Sequence, residues 1–451
     1  QSSTTASAQT DKDGRYVFDA YGNVNGSDHV QGLDVAEGRE TMTITISKPG
    51  YQETTLFFGP RYENVVDDNG ESYDVAQVQE VYLCPEGAPD GDKDGLCDGA
   101  EAGYGSRSDS DNSDHDGFTD VAEITGFDKI DLHSYGASPT KRDVFVYIDY
   151  YVAPIAAALD DVVRAFADAP PAPEGGSAGI ALHVMMGRQV APGDQNPNLI
   201  GISRGIWTQY DKIKEIYFPD RYASIAHYAL FANMLDGSSS SGWSRGIPGH
   251  DLVVTLGHPV WNGGTELQQA GTLMHELGHT LGLQHGGNER ANCKPNYVSI
   301  MSYAYQTVGL FRDGKDGVLD YSRLQLGGLS ESALDERSGM TAVPPSQVEE
   351  LARYGAKFAR GGCYAGTLAR GTLNGPLDFS GNGDFEDRTS SIDLDGSGTA
   401  RDSFRQSQID WSRLVHTGAA NGGGLIGDAL SIQSVEQDVP PESMPPELDR
   451  P

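Results

Sequence analysis

Three histidines within residues 274–286, MHELGHTLGLQHG, constrain this chain more than any other feature. His275 and His279 are four residues apart. On a helix, both imidazoles therefore project from one face about a turn apart and can converge on one ion. The opposite face carries three leucines that would anchor the helix in a core, namely Leu273, Leu277 and Leu281. The segment thus predicts a packed helix whose histidines face a cleft.

The residues that follow favour a catalytic metal. Gly282 can adopt the positive φ that ends a helix, and the turn lets His285 approach as a third ligand. Three nitrogens leave the fourth position of a tetrahedral Zn²⁺ open for water. Glu276 is placed to take a proton from that water and to pass it to a leaving amine. The alternative is coincidence, but by composition this pattern should arise on the order of once in 10⁴ such chains or fewer.

This long zinc motif resembles that of the metzincin metallopeptidases, in which a methionine-containing turn follows. That turn has a counterpart in SIMSY at residues 299–303. The resemblance implies that Met301 forms a hydrophobic floor beneath one catalytic zinc. It also implies that Tyr303 helps to stabilise the tetrahedral intermediate, although Tyr303 could instead be a packed core aromatic. Gly286 follows the third histidine where the best-known branches carry Pro, Ser, Glu or Asp, so the branch and its substrate preference stay open.

An aspartate-rich stretch at residues 85–135 is the second strong pattern. Its first loop has Gly95 at position 6, where a sharp turn is needed, and oxygen ligands at positions 1, 3, 5, 7, 9 and 12: Asp90, Asp92, Asp94, the carbonyl of Leu96, Asp98 and Glu101. The same spacing recurs with Gly117 in Asn112, Asp114, Asp116, Phe118, Asp120 and Glu123. Such hard oxygen ligands suit Ca²⁺. The alternative is a solvated acidic linker.

Only ten residues separate Glu101 from Asn112, too few for the helices and linker of paired EF-hands. The stretch, with Asp109 and Asp111, instead resembles thrombospondin type 3 repeats, in which short acidic loops wrap successive calcium ions. The resemblance implies two or more structural Ca²⁺ ions. Two later loops, at 378–386 and 393–397, have part of the spacing but no closing glutamate, so metal binding there is left open.

Charge and hydropathy exclude several classes of partner. Acidic residues outnumber basic ones 65 to 32, giving a formal charge of −33. That field repels nucleic acid and anionic lipid and attracts divalent cations. No stretch approaches the roughly 18–20 apolar residues of a membrane helix. We expect a monomer that acts on protein or peptide substrates, with no nucleic-acid partner and no membrane insertion.

The four cysteines indicate an oxidising compartment. Proximity would pair Cys84 with Cys97 and Cys293 with Cys363, although four cysteines allow three connectivities. The opening QSSTTASAQT is small and polar, which is typical of a mature protein after processing. We therefore expect a secreted, extracellular or periplasmic protein.

The remaining patterns predict a multidomain chain. Alternating residues such as TMTITIS at 41–47 predict an N-terminal all-β sandwich. Beyond Lys141 the pattern is α/β, and we expect strands at 143–150, 179–186, 225–234 and 251–256, with helices at 154–167 and 265–281. The expected segments are a disordered arm at 1–13, the sandwich at 14–84, a calcium-bound segment at 85–135, a metzincin-like α/β catalytic domain with a mixed sheet at 136–432, and a disordered tail at 433–451.

Taken together, these patterns predict a secreted zinc metalloendopeptidase stabilised by calcium. The alternative from another class is a calcium-dependent adhesion or matrix-binding protein with a vestigial zinc domain. The retained Glu276 argues against that alternative, because a structural metal site has no use for a general base. A hydrolase that acts on other amides is also possible, since short zinc motifs of this kind serve such reactions.

Overall fold

The structure is a computed structural model, and it describes residues 42–58, 61–66, 72–77, 80–173, 176–191, 193, 196–199, 205–235, 237–289, 291–340, 345–356, 372–385, 388–389 and 392–416. The predicted arm at 1–13 and tail at 433–451 lie outside these residues. The chain divides into two compact units. The smaller unit holds residues up to 113 together with 118–140, and the larger holds 114–117 together with the chain from Lys141 onward.

The smaller unit begins with two antiparallel hairpins. Strand β1 (Met42–Ile46) pairs with β2 (Thr54–Phe58), and β3 (Arg61–Val66) pairs with β4 (Ser72–Gln77). The predicted alternation around residues 41–47 therefore does form a strand. Each pair is a separate two-stranded sheet, and the described residues do not assemble into the predicted β-sandwich. Residues 14–41 lie outside the described part of the chain, so a sandwich that includes them stays a prediction.

The aspartate-rich stretch follows and contains two short helices, α1 (Asp98–Tyr104) and α2 (Asp120–Thr125). The predicted disulfide between Cys84 and Cys97 is present. Both cysteines are buried and pack with Ala100 in a small apolar cluster. A stretch with so few apolar residues cannot build a large core, so this disulfide supplies much of its covalent restraint.

The larger unit is built on a mixed sheet, as predicted, and the sheet has five strands, of which β8 was not expected. The strand order is β6-β5-β7-β9-β8. The first four strands in that order are parallel, and β8 pairs antiparallel with β9 at one edge. The strands are β5 (Asp143–Tyr150), β6 (Ala181–Gln189), β7 (Ala226–Phe231), β8 (Gly242–Gly246) and β9 (Gly249–Val254). Seven of the eight residues of β5 are buried, as expected for a central parallel strand.

Three long helices accompany the sheet. They are α3 (Ala156–Ala167), α4 (Gly205–Tyr217) and α5 (Glu266–Thr280). Helices α3 and α5 share one apolar core with the sheet, through residues such as Phe166, Leu273 and Leu277. Helix α4 packs through Tyr210, which lies against Tyr228 of β7 with ring centroids 5.3 Å apart.

Helix α5 matches the predicted helix within one residue at each end. Thr265 caps it with a reciprocal capping box, in which its hydroxyl accepts from the amide of Gln268 and the Gln268 side chain accepts from the amide of Thr265. After the helix, Gly282 takes a φ of +93°, and the amide of Leu283 donates to the carbonyl of Gly278. The positive φ is the conformation for which glycine is suited.

The described chain after α5 consists of irregular segments and short elements. Its helices are α6 (Tyr303–Gln306) and α7 (Val348–Leu351), and its short strands are β10 (Leu310–Arg312), β11 (Lys315–Val318), β12 (Leu329–Ser330), β13 (Leu334–Asp335), β14 (Arg388–Thr389) and β15 (Ser403–Phe404). Cys293 is disulfide-bonded, and its predicted partner Cys363 lies outside the described residues. Among the described helices, none has the length and apolar character to span a bilayer.

Histidine burial predicts acid sensitivity of the larger unit. His227 of β7 is 3% exposed, and burial, aided by the nearby His250 and His416, lowers the pKa of His227 to about 3. Between about pH 6.5 and 3 the unfolded chain binds a proton that the folded chain rejects. The stabilising contribution of this histidine to the free energy of unfolding is therefore complete above pH 6.5. Below that pH it decreases by up to about 1.4 kcal/mol per pH unit.

We expect His227→Gln, which cannot become charged, to lose less stability than the wild type as the pH falls. Urea titration at pH 7.5, 6, 5 and 4 would give the slope of the free energy of unfolding against pH. His258→Gln, a half-buried histidine outside this group, serves as the control and should keep the wild-type slope. Equal slopes for all three proteins would contradict the assignment.

Candidate functional site

The three predicted histidines meet at one point. The Nε2 atom of His279 lies 3.1 Å from Nε2 of His275 and 2.9 Å from Nε2 of His285. His275 and His279 project from α5 and are fully buried, whereas His285 comes from the turn after the helix and is partly exposed. The helix spacing and the turn at Gly282 thus bring the ring nitrogens together as the sequence suggests.

Backbone carbonyls fix which ring nitrogen is available. His275 Nδ1 lies 2.9 Å from the carbonyl oxygen of Ile300, and His279 Nδ1 lies 2.8 Å from that of Leu283. Because a carbonyl oxygen only accepts, each Nδ1 carries the proton and each Nε2 presents a lone pair. Lone pairs at this separation repel one another unless a cation lies between them. Nitrogens bound to one tetrahedral Zn²⁺ stand about 3.3 Å apart, so this donor set fits zinc.

Glu276, the predicted general base, is buried on α5 between the two helical histidines. Its Oε2 atom accepts a hydrogen bond of 2.6 Å from the hydroxyl of Ser244 on β8. The sheet edge therefore lies directly against the carboxylate side of the helix. Glu276 follows His275 directly on the helix, which is the position that the sequence predicts for a general base.

The turn at 299–303 lies under the same helix. Met301 is fully buried, and a Cβ added at Gly278 would lie 2.3 Å from its sulfur. The sulfur therefore packs against the backbone between the two helical histidines, where only glycine leaves room. The ring of Tyr303 is 4.4 Å from that of His285 and 5.6 Å from that of His275, centroid to centroid. Both residues thus lie at the histidine cluster.

A buried carboxylate that the sequence did not single out supports this turn. Asp410 Oδ2 accepts hydrogen bonds from the hydroxyls of Tyr297 and Ser299, both at 2.7 Å, and from the amide of Ser322 at 3.0 Å. Burial raises the pKa of Asp410 to about 6, although these hydrogen bonds oppose the rise. The segment that leads into Met301 is thereby held by a residue near the end of the described chain.

The first acidic loop gathers three of its predicted ligands. Carboxylate oxygens of Asp90, Asp92 and Asp94 lie within 4.8 Å of one another. Asp98 is turned instead towards the amide of Gly91, at 2.9 Å. Leu96 is buried, and its amide donates to Asp94 Oδ1.

Glu101 is the remaining predicted ligand of this loop, and it is fully buried. Among the described residues no group hydrogen bonds to either of its carboxylate oxygens, and Oδ2 of Asp92 and of Asp94 likewise has no partner there. Burial, followed by the charges of Asp92, Asp94 and Asp98, raises the pKa of Glu101 to about 7. Oxygens buried in this state require a cation or a proton.

The second acidic loop is only partly gathered. Asp114 and Asp116 present oxygens within 4.8 Å of each other and of Asp143, the first residue of β5, which the loop spacing did not suggest. Asp120 binds the amide and hydroxyl of Ser113 with its two oxygens, so it satisfies the backbone instead. Of the other predicted ligands, Phe118 is buried and Glu123 is buried in α2. Asn112 and Asp111 are half-buried, and Asp109 pairs with Arg107 at 3.0 Å on the surface.

The later loops receive carboxylates from elsewhere in the chain. Glu331 is fully buried, and it brings a carboxylate oxygen within 4.8 Å of Asp393 and Asp395. It accepts hydrogen bonds from the amides of Leu394 and Asp402. Glu336 accepts from the amide of Ser380 in the other loop. No local spacing could have indicated these glutamates, since Leu394 follows Glu331 by 63 residues.

The solved structures that match this chain include a distant one. No protein-family model matches the chain, and no curated protein does. Among solved structures, archaemetzincin from Methanopyrus kandleri is similar at 15% sequence identity with a TM-score of 0.25, covering 40% of this chain and 90% of that chain. A match this weak does not establish a shared fold, so the chemistry of the site depends on this chain's own residues.

The close approach at Gly278 gives a testable consequence. We expect Gly278→Ala to destabilise the larger unit by about 1–3 kcal/mol, because the new methyl group overlaps the sulfur of Met301. Thermal unfolding and zinc titration would measure the loss. The double variant Gly278→Ala/Met301→Ala restores the space and should lose less than the sum of the single variants. Strict additivity would contradict the packing described here.

Proposed function

We propose that this chain is a zinc-dependent endopeptidase that cleaves internal peptide bonds of proteins outside the cell. The convergence of the Nε2 atoms of three histidines, two of them on the helix that holds the buried Glu276, carries this proposal. A structural zinc site would fill the fourth position with a protein ligand. Among the His, Cys, Asp and Glu side chains that the structure describes, only the three histidines gather at this point, which suits a catalytic site.

Each residue of the site has a distinct role in this mechanism. His275, His279 and His285 would hold the zinc, which when bound acts as a Lewis acid and makes water nucleophilic near neutral pH. Glu276 accepts the proton of the attacking water on a carboxylate oxygen and later delivers it to the leaving amine. Tyr303, beside His285, donates a hydrogen bond to the oxygen that becomes negative as the carbonyl is attacked.

The sheet edge suggests how a substrate binds. Strand β8 is an edge strand, and it contacts α5 at Glu276 through Ser244. An extended peptide can add to such an edge through main-chain hydrogen bonds. We infer that the substrate lies along β8. An internal peptide bond of the substrate would then lie at the three histidines. The disulfide between Cys84 and Cys97 supports an extracellular location.

Calcium binding to the acidic stretch is the second part of the proposal. The buried, unpartnered oxygens of Glu101, Asp92 and Asp94 support a cation at the first loop. Ca²⁺ is the hard cation that an all-oxygen set of this size accepts. Its role would be structural, since it would neutralise carboxylates that otherwise repel one another.

Loss of the base gives the direct test of the peptidase. We expect Glu276→Gln to lower kcat by about 10²–10⁴-fold on a labelled unfolded casein, while bound zinc stays at one equivalent. Glu266→Gln changes an exposed glutamate on the same helix and should retain full activity. The proposal fails if the zinc-loaded wild type cleaves nothing, or if Glu276→Gln cleaves as fast as the wild type.

Calcium dependence can be tested at Glu101, where the expected effect changes sign. The raised pKa of Glu101 means that, without a cation, its charge destabilises the fold as pH rises from about 4.5 through about 7. At pH 8 in EGTA we therefore expect Glu101→Gln to raise Tm above that of the wild type.

In saturating Ca²⁺ the same variant should have the lower Tm, because it lacks a ligand. Exposed Glu86→Gln is the control and should follow the wild type in both conditions. We also expect EGTA to make residues 85–135 sensitive to proteolysis. A wild-type Tm that does not respond to Ca²⁺ or EGTA would refute the calcium site.

A further inference from the structure

Strand β8 presents two chemically different faces. Its residues alternate, so Gly242 and Ser244 lie on one face while Trp243 and Arg245 lie on the other. Arg245 and Trp243 pack against Trp207 of α4, with the guanidinium carbon 4.3 Å from that ring centroid. The face with the two small residues is the one that lies against α5.

Ser244 makes two close contacts on that face, both with Glu276. Its hydroxyl oxygen lies 2.6 Å from Oε2 of Glu276 and 2.8 Å from the backbone carbonyl oxygen of the same residue. Ser244 is fully buried, so water does not compete for this hydroxyl. A charge-assisted hydrogen bond of this length in a dry site is among the stronger ones that a hydroxyl makes.

Gly242 restricts the same side chain from another direction. A Cβ added at this position would lie 2.7 Å from Oε1 and 2.8 Å from Cγ of Glu276. The glutamate therefore occupies the space that any larger residue at 242 would take. The hydroxyl of Ser244 hydrogen bonds to Oε2 of Glu276. The backbone of Gly242 lies on the side of Oε1 and limits its movement.

Resting on the proposed function, we propose that Ser244 is a positioning residue for the general base. Its hydroxyl holds the Glu276 carboxylate in one orientation, so that the proton-accepting oxygen faces the attacking water. A free glutamate side chain has three rotatable bonds, and catalysis by a general base depends on correct geometry before anything else. Ser244 itself touches neither substrate nor metal in this mechanism.

The test replaces Ser244 by Ala in the full-length, zinc-loaded protein. We expect kcat on casein-derived peptides to fall about tenfold with KM within twofold of wild type, because only the orientation of the base is lost. In the Glu276→Gln background the same substitution should change the residual rate less than twofold, since the base is already absent. Zinc affinity should be unchanged in every variant.

Ser240→Ala is the matched control. Ser240 is equally buried, and its hydroxyl bonds to the carbonyl of Gly242 rather than to Glu276. This variant removes the same group from the same segment and should keep kcat within twofold. A tenfold loss in both alanine variants would assign the effect to the strand as a whole and overturn the proposal.

A crystal structure of the Ser244→Ala protein supplies a readout that does not depend on turnover. We expect the Glu276 carboxylate to rotate or to occupy more than one orientation, while the three imidazoles superpose on those of the wild type. An unmoved carboxylate, or an unchanged kcat, would overturn the positioning role. A wild-type protein that cleaves nothing would refute the peptidase instead, and the carboxylate orientation would still report whether Ser244 holds it.

Discussion

Two hydrogen bonds from imidazole to backbone determine the chemistry of this molecule. The carbonyls of Ile300 and Leu283 hold the Nδ1 protons of His275 and His279, so both rings direct a lone pair to one point. Because the acceptors are main-chain atoms, their identity does not depend on which side chains stand at 283 and 300. What matters is the path of the backbone. The turn at Gly282 and the segment before Met301 must each arrive in register with α5, and the rest of the larger unit brings them there.

Small residues make these approaches possible. Because Gly278 has no side chain, the sulfur of Met301 can pack against α5 there. Because Gly242 has none, the side chain of Glu276 can pack against β8. Gly282 has the positive φ with which the chain turns back towards His279 after α5. The helix is thus enclosed on three sides by elements that come closer than ordinary side chains permit. Such packing leaves little freedom for the three histidines, and the proposed metal site needs this preorganisation.

The sequence predicts this unit best where the signals are local. Helix α5 has a capping box at one end and a glycine turn at the other, so its limits and its three histidines could be located from spacing alone. Helix α4 was missed because IWTQYDKIKEIY is rich in β-branched and aromatic residues, which suit a strand equally well. Ligands and supports from distant positions could not be found by spacing. Asp143, Glu331 and Asp410 reach their partners only through tertiary folding, and Asp120 satisfies Ser113 instead of joining a metal group.

The position of Asp410 also affects when the site can form. Asp410 follows Tyr297 by 113 residues, although the two are joined by a 2.7 Å hydrogen bond. A ribosome that has completed the three histidines, Glu276 and Met301 has therefore not yet made the carboxylate that anchors their supporting segment. At about 5–20 residues per second this interval lasts roughly 6–23 s. The segment around Met301 therefore gains its anchor only after most of the described chain has been synthesised.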